Sequence, residues 1–504
     1  MALSRILSRG QVGMEAPLVT VEVHISNGLP GLSIVGLPET AVKESKDRVR
    51  SALMNAGFSY PNQRITINLA PADLPKQGGR FDLPIALGIL AASGQIDAKQ
   101  LAGYEFAGEL LLTGQIRPIV GAIPFALATK KDNHTLMIAQ QNASEVALVE
   151  GLNAYGAPDL NSVVSHLQNK ALLPAVACHL TPGDGQHNQD LSDVKGQTQA
   201  KRALMLAAAG GHNLLFVGPP GSGKTMLASR MVDLLPALTS DQALENAAIA
   251  SIKGIDAIEQ SFYQRPFRQP HYTASSAALV GGGSHPQPGE VSLAHHGVLF
   301  LDELPEFDRK VLEVLRSPLE SGQVMISRAK SQVHFPANFQ LIAAMNPCPC
   351  GYWGSQTKAC RDSAHQIRQY QSKLSGPLLD RIDLQVEVLE LDSQTLTNKN
   401  LEGDSSQTVR QWVTQARSRQ YQRQQKVNAE LSAREIDTIC QVTDDATNLL
   451  QQAIDKMGLS ARAYYRILKV ARTIADIQAS DTVGPKHIQE ALNYRKLDRY
   501  MHCT

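Results

Sequence analysis

Residues 214–235 read LLFVGPPGSGKTMLASRMVDLL. LLFV is a short, unbroken apolar run, the pattern of a strand buried on both faces. MLASRMVDLL has the periodicity of a helix. Between them Gly218, Pro219, Pro220, Gly221, Ser222, Gly223, Lys224 and Thr225 form a P-loop in strand–loop–helix context. The glycines let backbone N–H groups turn inward around phosphates, and the start of the helix adds partial positive charge. Lys224 is placed for the β- and γ-phosphates and Thr225 for Mg²⁺, so ATP and Mg²⁺ are the expected ligands.

A second apolar strand, GVLFLDE (297–303), delivers two carboxylates to the open edge of the same sheet. Asp302 is expected to hold Mg²⁺. Glu303 is expected to accept the proton of an attacking water. QLIAAMN (340–346) reads as a third buried strand. Helical patterns lie between the three, which predicts a mostly parallel sheet with helices on both faces.

Outward from this core, the N-terminal third reads as a separate α/β unit. VTVEVHIS (19–26) and RITINLA (64–70) alternate as strands; residues 39–57 and 81–94 read as helices. Residues 396–504 carry helical patterns only. The expected organisation is α/β throughout: an N-terminal domain over 1–170, a linker over 171–190, an ATPase core over 191–395 and a helical lid over 396–504.

The composition is that of a globular protein, with 43% hydrophobic and 19% charged residues. A net charge of +1 excludes a polyanion-binding coat over the whole chain but leaves room for a local basic groove. The opening MALSRILSRGQVGMEA does not read as a secretory signal, and no run reaches the ~20 apolar residues of a membrane span. A cytoplasmic location with no membrane partner is expected.

Six cysteines make no disulfide framework, yet three of them fall within CPCGYWGSQTKAC (348–360). Cys348, Cys350 and Cys360 are soft ligands suited to Zn²⁺, with His365 or Asp362 as the fourth. Three reduced thiols in a loop without metal is the alternative.

HYTASSAALVGGGSHPQPGEVSLAHHGVLFLDELPEFDRKVLEVLRSPLESG (271–322), AAMNPCPCG (343–351) and SGPLLDRID (375–383) resemble the magnesium-chelatase-like branch of the AAA+ ATPases. GLPGLSIVGLPETAVKES (28–45) and GLSARAYYRILKVARTIADI (458–477) extend the resemblance to the competence-protein and YifB-type members, over nearly the whole chain. The resemblance implies that Asn346 is a first sensor holding the attacking water. It implies that Arg381 is an arginine finger reaching a neighbouring subunit's nucleotide, and that Arg462 is a second sensor on the lid. It implies two inserts facing a ring's channel, at about 271–290 and 323–337. The second reads as a hairpin with Arg328 and Lys330 at its tip, two cations suited to DNA phosphates. Many relatives carry a fourth cysteine where this chain has Asp362, which leaves the fourth zinc ligand open.

PADLPKQGGRFDLPIA (71–86) and GELLLTGQIRPIVGAI (108–123) resemble Lon-type protease domains, whose fold is that of ribosomal protein S5 domain 2. The nucleophile position falls on Arg80 and the lysine position on Ile123. Guanidinium is neither nucleophile nor base, and isoleucine accepts no proton, so the Ser–Lys dyad is absent. A structural or DNA-guiding collar is expected in its place.

Arg410, Arg417, Arg419, Arg423 and Lys426 form a cationic run without acids over 405–429. A phosphate track, a solvated face and a subunit contact all fit it.

The family implies a hexameric, ring-forming, ATP-dependent DNA motor or helicase. It would promote branch migration during integration of transforming DNA by homologous recombination. Single-stranded and branched DNA and recombination proteins would be its partners. Three alternatives stand beside this: a protein-remodelling ATPase, a metal chelatase subunit, which is not expected to carry the Lon-like domain, and an ATP-dependent protease, against which Arg80 and Ile123 argue.

Overall fold

A computed structural model describes residues 2–177, 189–283, 286–328, 331–355, 357–391, 403–457 and 460–495. The chain divides into two compact units. The first comprises 1–183, 240–262 and 327–335, and the second 184–239, 263–326 and 336–504.

In the first unit a seven-stranded sheet has the order Gly31–Val35, Arg64–Ala70, Leu18–Ser26, Ala2–Arg9, Tyr104–Ala107, Thr135–Ala139, Ala154–Ala157. The helices Thr40–Asn55 and Asp82–Ala92 stand as the apolar spacing predicts. Asp82–Ala92 packs against the two strands Ala2–Arg9 and Leu18–Ser26. Gly88 permits that approach, since a Cβ there would lie 2.5 Å from Val23 Cγ2. The strand Ala2–Arg9 at the sheet's centre was not anticipated. Its alternation is inverted, with Ser4 and Ser8 buried and Leu3 exposed. Ser4 Oγ is satisfied by donating to Gly88 O at 2.7 Å.

The helix Ser240–Lys253, expected within the ATPase core, belongs to the first unit. It packs on the helix Ala122–Lys131 with Ala247, Ala248, Ile249 and Ile252 buried. Gly121 N donates to Ser251 O at 3.0 Å and Ile123 N to Ser251 Oγ at 3.3 Å. Ile123 is fully buried. Arg80 is buried too, donating through Nη2 to Val120 O at 2.9 Å while Nη1 has no partner among the described residues. Burial alone lowers its pKa to about 10. The two positions that the Lon-type resemblance aligns with the dyad thus hold a sequestered guanidinium and a hydrocarbon.

In the second unit five parallel strands have the order Phe267–Arg268, Val298–Leu301, Gln340–Met345, Leu214–Val217, Leu384–Glu387. The three apolar runs read from the sequence are its three inner strands, each fully buried. The lid consists of the helices Ser406–Gln424, Ala433–Ile439, Asp444–Met457, Ala461–Ile477 and Pro485–Asn493. Its apolar faces join the sheet's helices in one core. The expected linker falls largely on 178–188, outside the described residues. No described helix is long and apolar enough to cross a membrane.

Candidate active site

The strand order brings three chain segments to one edge. Gln340–Met345 lies between the P-loop strand and the strand ending at Leu301, so Asn346 emerges between the loop and the acid pair. Pro220, Gly221, Ser222, Gly223, Lys224 and Thr225 line a cleft of about 360 Å³ with Met226, Asp302, Glu303, Met345 and Asn346.

The loop's glycines meet two different demands. A Cβ on Gly218 would lie 2.2 Å from Val388 O, so that position needs space. Gly223 has φ +92 with nothing near its missing Cβ, so that position needs backbone freedom. Lys224 is 8% exposed, and its ammonium donates to Gly218 O at 2.7 Å, Pro219 O at 2.8 Å and Asn346 Oδ1 at 3.2 Å. Burial holds its pKa below the ordinary lysine value, while Asp302 and Glu303 pull the other way. A cation held by neutral oxygens at the mouth of a cleft is poised to exchange them for an anion.

Thr225 Oγ1 donates to Asp302 Oδ2 at 2.7 Å, and Glu303 N donates to Asp302 Oδ1 at 2.9 Å. The hydroxyl and the carboxylate already converge, which is the donor set that would hold Mg²⁺. Ser222 Oγ is buried without a partner among the described residues and lies in the cleft wall, a polar atom that suits a phosphate-bearing ligand. Glu303 adopts φ +52, ψ +45, left-handed backbone in a residue that gains nothing from it locally. Strain of about 1–3 kcal/mol at such a position is common where a side chain must be aimed. Nothing in the sequence signalled it. Nor did the sequence reading find Gln197, whose Nε2 ties Ser222 O (3.2 Å) to Leu389 O (2.7 Å).

The two arginines stand elsewhere. Arg381 precedes the strand Leu384–Glu387, whose register pairs Leu384 with Leu214 and Glu387 with Val217. It therefore sits at the edge of the sheet opposite the P-loop, on the order of 13 Å away along a four-residue strand. It pairs with Glu320 and donates from Nη1 to Pro377 O at 2.5 Å, and its Nε is buried without a partner among the described residues. Arg462 is 69% exposed on the first turn of Ala461–Ile477, 3.8 Å from Asp380. Neither lines the cleft of its own chain. Further along that helix, half-buried Arg466 lies 3.4 Å from Asp383, and the buried cation is Arg472, paired with Asp476 at 2.9 Å.

The cysteines do gather. Their Sγ atoms are separated by 3.4 Å (Cys348–Cys350), 3.7 Å (Cys348–Cys360) and 3.6 Å (Cys350–Cys360). Asp362 joins them: its Oδ2 is 3.9 Å from Cys360 Sγ and accepts from Cys350 N at 2.8 Å. Trp353 N donates to Cys348 Sγ at 3.3 Å. His365 is not in this group. It lies exposed in the first turn of Ala364–Gln371, whose capping box uses Ser363 and Gln366. A bond of about 2.3 Å to zinc in tetrahedral geometry puts neighbouring sulfurs about 3.8 Å apart, so the three thiols fit the ion.

The strands Gln323–Arg328 and Ser331–Pro336 form the expected hairpin. Lys330 and the side chain of Arg328 lie outside the described residues. In the first insert Gly281–Gly282 pairs with Gln287–Pro288.

The cationic run is accounted for within the chain. Arg410 Nε donates to Asp233 O (2.7 Å), Arg417 Nε to Ala208 O (2.9 Å) and Arg419 Nη1 to Asp476 O (2.6 Å). Arg423 pairs with Asp476 at 2.7 Å and Lys426 with Glu435 at 2.7 Å. The four arginines pin the helix Ser406–Gln424 to its own unit and Lys426 braces the turn after it, so all five cations have partners within the chain.

A parallel sheet with this strand order, a P-loop, an acid pair and a polar residue ending the strand between them define a P-loop ATPase of AAA+ type. Comparison with known proteins is consistent with this. Residues 190–396 match the family described as magnesium chelatase, subunit ChlI; residues 21–142 match that described as subunit ChlI of Mg-chelatase; residues 403–495 match the ChlI C-terminal family. The chain is 53% identical to competence protein ComM of Haemophilus influenzae, over 99% of both chains. It is 50% identical to the uncharacterized protein YifB of Escherichia coli, over 99% of this chain and 98% of that one. The magnesium-chelatase 38 kDa subunit of Cereibacter sphaeroides is 24% identical over 60% of this chain and 91% of its own. The chain belongs to the ComM/YifB family of magnesium-chelatase-like AAA+ proteins.

Proposed function

We propose that the protein is a ring-forming, hexameric, cytoplasmic motor that hydrolyses ATP to drive branch migration of DNA while incoming strands are integrated by homologous recombination. The convergence of Lys224, Thr225, Asp302, Glu303 and Asn346 on one cleft supports the hydrolytic part. The full-length similarity to a protein named for competence supports the DNA part.

In this reading Lys224 leaves the carbonyls of Gly218 and Pro219 for the γ-phosphate. Thr225 and Asp302 hold Mg²⁺, which supplies positive charge to the phosphate oxygens. Glu303 takes the proton of the attacking water, and Asn346 orients that water. Arg381, at the far edge of its own sheet, serves the nucleotide of the next copy, so that hydrolysis requires assembly. The pore inserts, with Arg328 and Lys330, then grip DNA phosphates without reading sequence. The cysteine cluster holds Zn²⁺ beside the first sensor.

The test is ATP-dependent resolution of a synthetic four-way DNA junction, with Lys224→Ala as control. Resolution by the wild type alone is expected. ATP hydrolysis without binding or resolving the junction would overturn the DNA part and bring protein remodelling forward.

A further inference from the structure

Asn213 immediately precedes the P-loop strand, at the edge of the sheet away from the cleft. It spends every hydrogen-bonding group it has on two segments. Its Nδ2 donates to Arg381 O at 2.8 Å, and its Oδ1 accepts from Leu341 N at 2.8 Å. Its backbone N donates to Asp383 Oδ2 at 3.2 Å, and its backbone O accepts from Asp383 N at 3.1 Å and Leu384 N at 3.0 Å. Leu341 is the second residue of the strand that ends beside Asn346, and Arg381 carries the guanidinium assigned to the neighbouring site. One side chain therefore holds the backbone of Arg381 in register with both central strands.

We infer that Asn213 is a positioning residue for ATP hydrolysis: it fixes the backbone from which Arg381 is presented to the next subunit. The inference rests on Arg381 acting between copies. The alternatives for holding Arg381 are few. Its own N–H is used on Leu378 O at 2.9 Å, and its side chain is held by Glu320 and Pro377 O, both within the same chain. Asn213 is the described contact that references Arg381 to the strands carrying the nucleotide loop and first sensor. A bond between neutral groups of this kind, with an amide left unpaired on its loss, is worth about tenfold in rate when geometry is what it secures.

Asn213→Asp keeps the acceptor for Leu341 N and removes the donor to Arg381 O. The variant is expected to lower kcat for ATP about tenfold with KM within about twofold. It is then mixed with Lys224→Ala, which lacks a working P-loop but carries an intact Arg381. Random pairing at equal amounts puts an Asn213→Asp cleft against an intact arginine at about one interface in four. Turnover should rise to about a quarter of wild type, about fivefold above the mean of the separate preparations. A defect in the variant's own cleft would not be relieved by its neighbour, so absence of recovery overturns the inference. Arg381→Ala in the same mixture is the reference. If Arg381→Ala alone leaves turnover unchanged, the reading of Arg381 fails instead. If Asn213→Asp shows no cooperative melting transition, Asn213→Ala, which keeps the backbone contacts to Asp383 and Leu384, is put through the same mixture and read the same way.

Discussion

Zinc content offers the sharpest numerical check, because the cluster's geometry names its fourth ligand. In a tetrahedron the ligand–ligand edge is about 1.63 times the bond length, so Zn–S bonds of about 2.3 Å require sulfurs about 3.8 Å apart. The three observed separations are 3.4, 3.6 and 3.7 Å. Asp362 is already aimed by Cys350 N, whereas His365 is turned to solvent on a capped helix. The purified protein should carry about one zinc per chain. Outer-shell partners typically contribute 10–100-fold to affinity, so losing a direct ligand, as in Asp362→Ala, should weaken zinc at least about a hundredfold. His365→Ala should change it by less than about twofold. Asp362→Cys should tighten it by adding a fourth thiolate. The assay is competition against a chromophoric chelator, with metal content measured independently. Equal loss in His365→Ala and Asp362→Ala, or a wild type purified and reconstituted without stoichiometric zinc, would refute the reasoning.

Three further outcomes follow from named contacts. Lys224→Ala should reduce ATP turnover at least about a thousandfold, since a cation about 4 Å from a phosphate charge is worth about 4 kcal/mol at an effective dielectric of about 20; a variant retaining a tenth of wild-type turnover would contradict the assignment. Asp383 is pushed up by burial but pulled further down by His212, whose Nδ1 lies 3.5 Å from its carboxylate, and by Arg466, leaving its pKa well below the usual carboxylate range. A depressed folded-state value stabilises above the unfolded value and loses that contribution on acidification, so thermal stability should fall below about pH 5, and Asp383→Asn should flatten that acid limb while lowering stability at neutral pH. Arg80 is a buried guanidinium with no acid hydrogen-bonded to it among the described residues, so Arg80→Met should leave stability unchanged or raise it by about 1–2 kcal/mol in denaturant melts; clear destabilisation would show that the Val120 contact outweighs desolvation.

The nucleotide cleft was legible because its information is local. Eight consecutive residues set the loop, and short apolar runs ending in Asp302, Glu303 and Asn346 bring the rest to one edge in a parallel sheet. Other features depend on what the chain packs against, which spacing does not encode. The cations of 410–426 look solvated in sequence, and only the lid's packing supplies the carbonyls and Asp476 that take them up. Ser4 and Ser8 hide a central strand, because a buried serine has the hydropathy of an exposed one; for Ser4 it is the carbonyl of Gly88 that makes burial tolerable. Asp362 and His365 both lie within reach of Cys360 in sequence; a helix cap separates them. In the proposed function Arg381 acts on the nucleotide of another copy, a relation that neither one sequence nor one fold displays.

The helix Ser240–Lys253 has an implication for inheritance. Because its buried side belongs with the N-terminal third, the polypeptide passes between the two units at five points rather than one. A gene fragment beginning near residue 190 would not encode a self-sufficient ATPase. It would expose Ala247, Ile249 and Ile252 while lacking the helix that covers them. Exchange of either half with a homologous gene by a single crossover would join mismatched faces. The two units are thus constrained to diverge together, as one module in descent even though they are two in architecture.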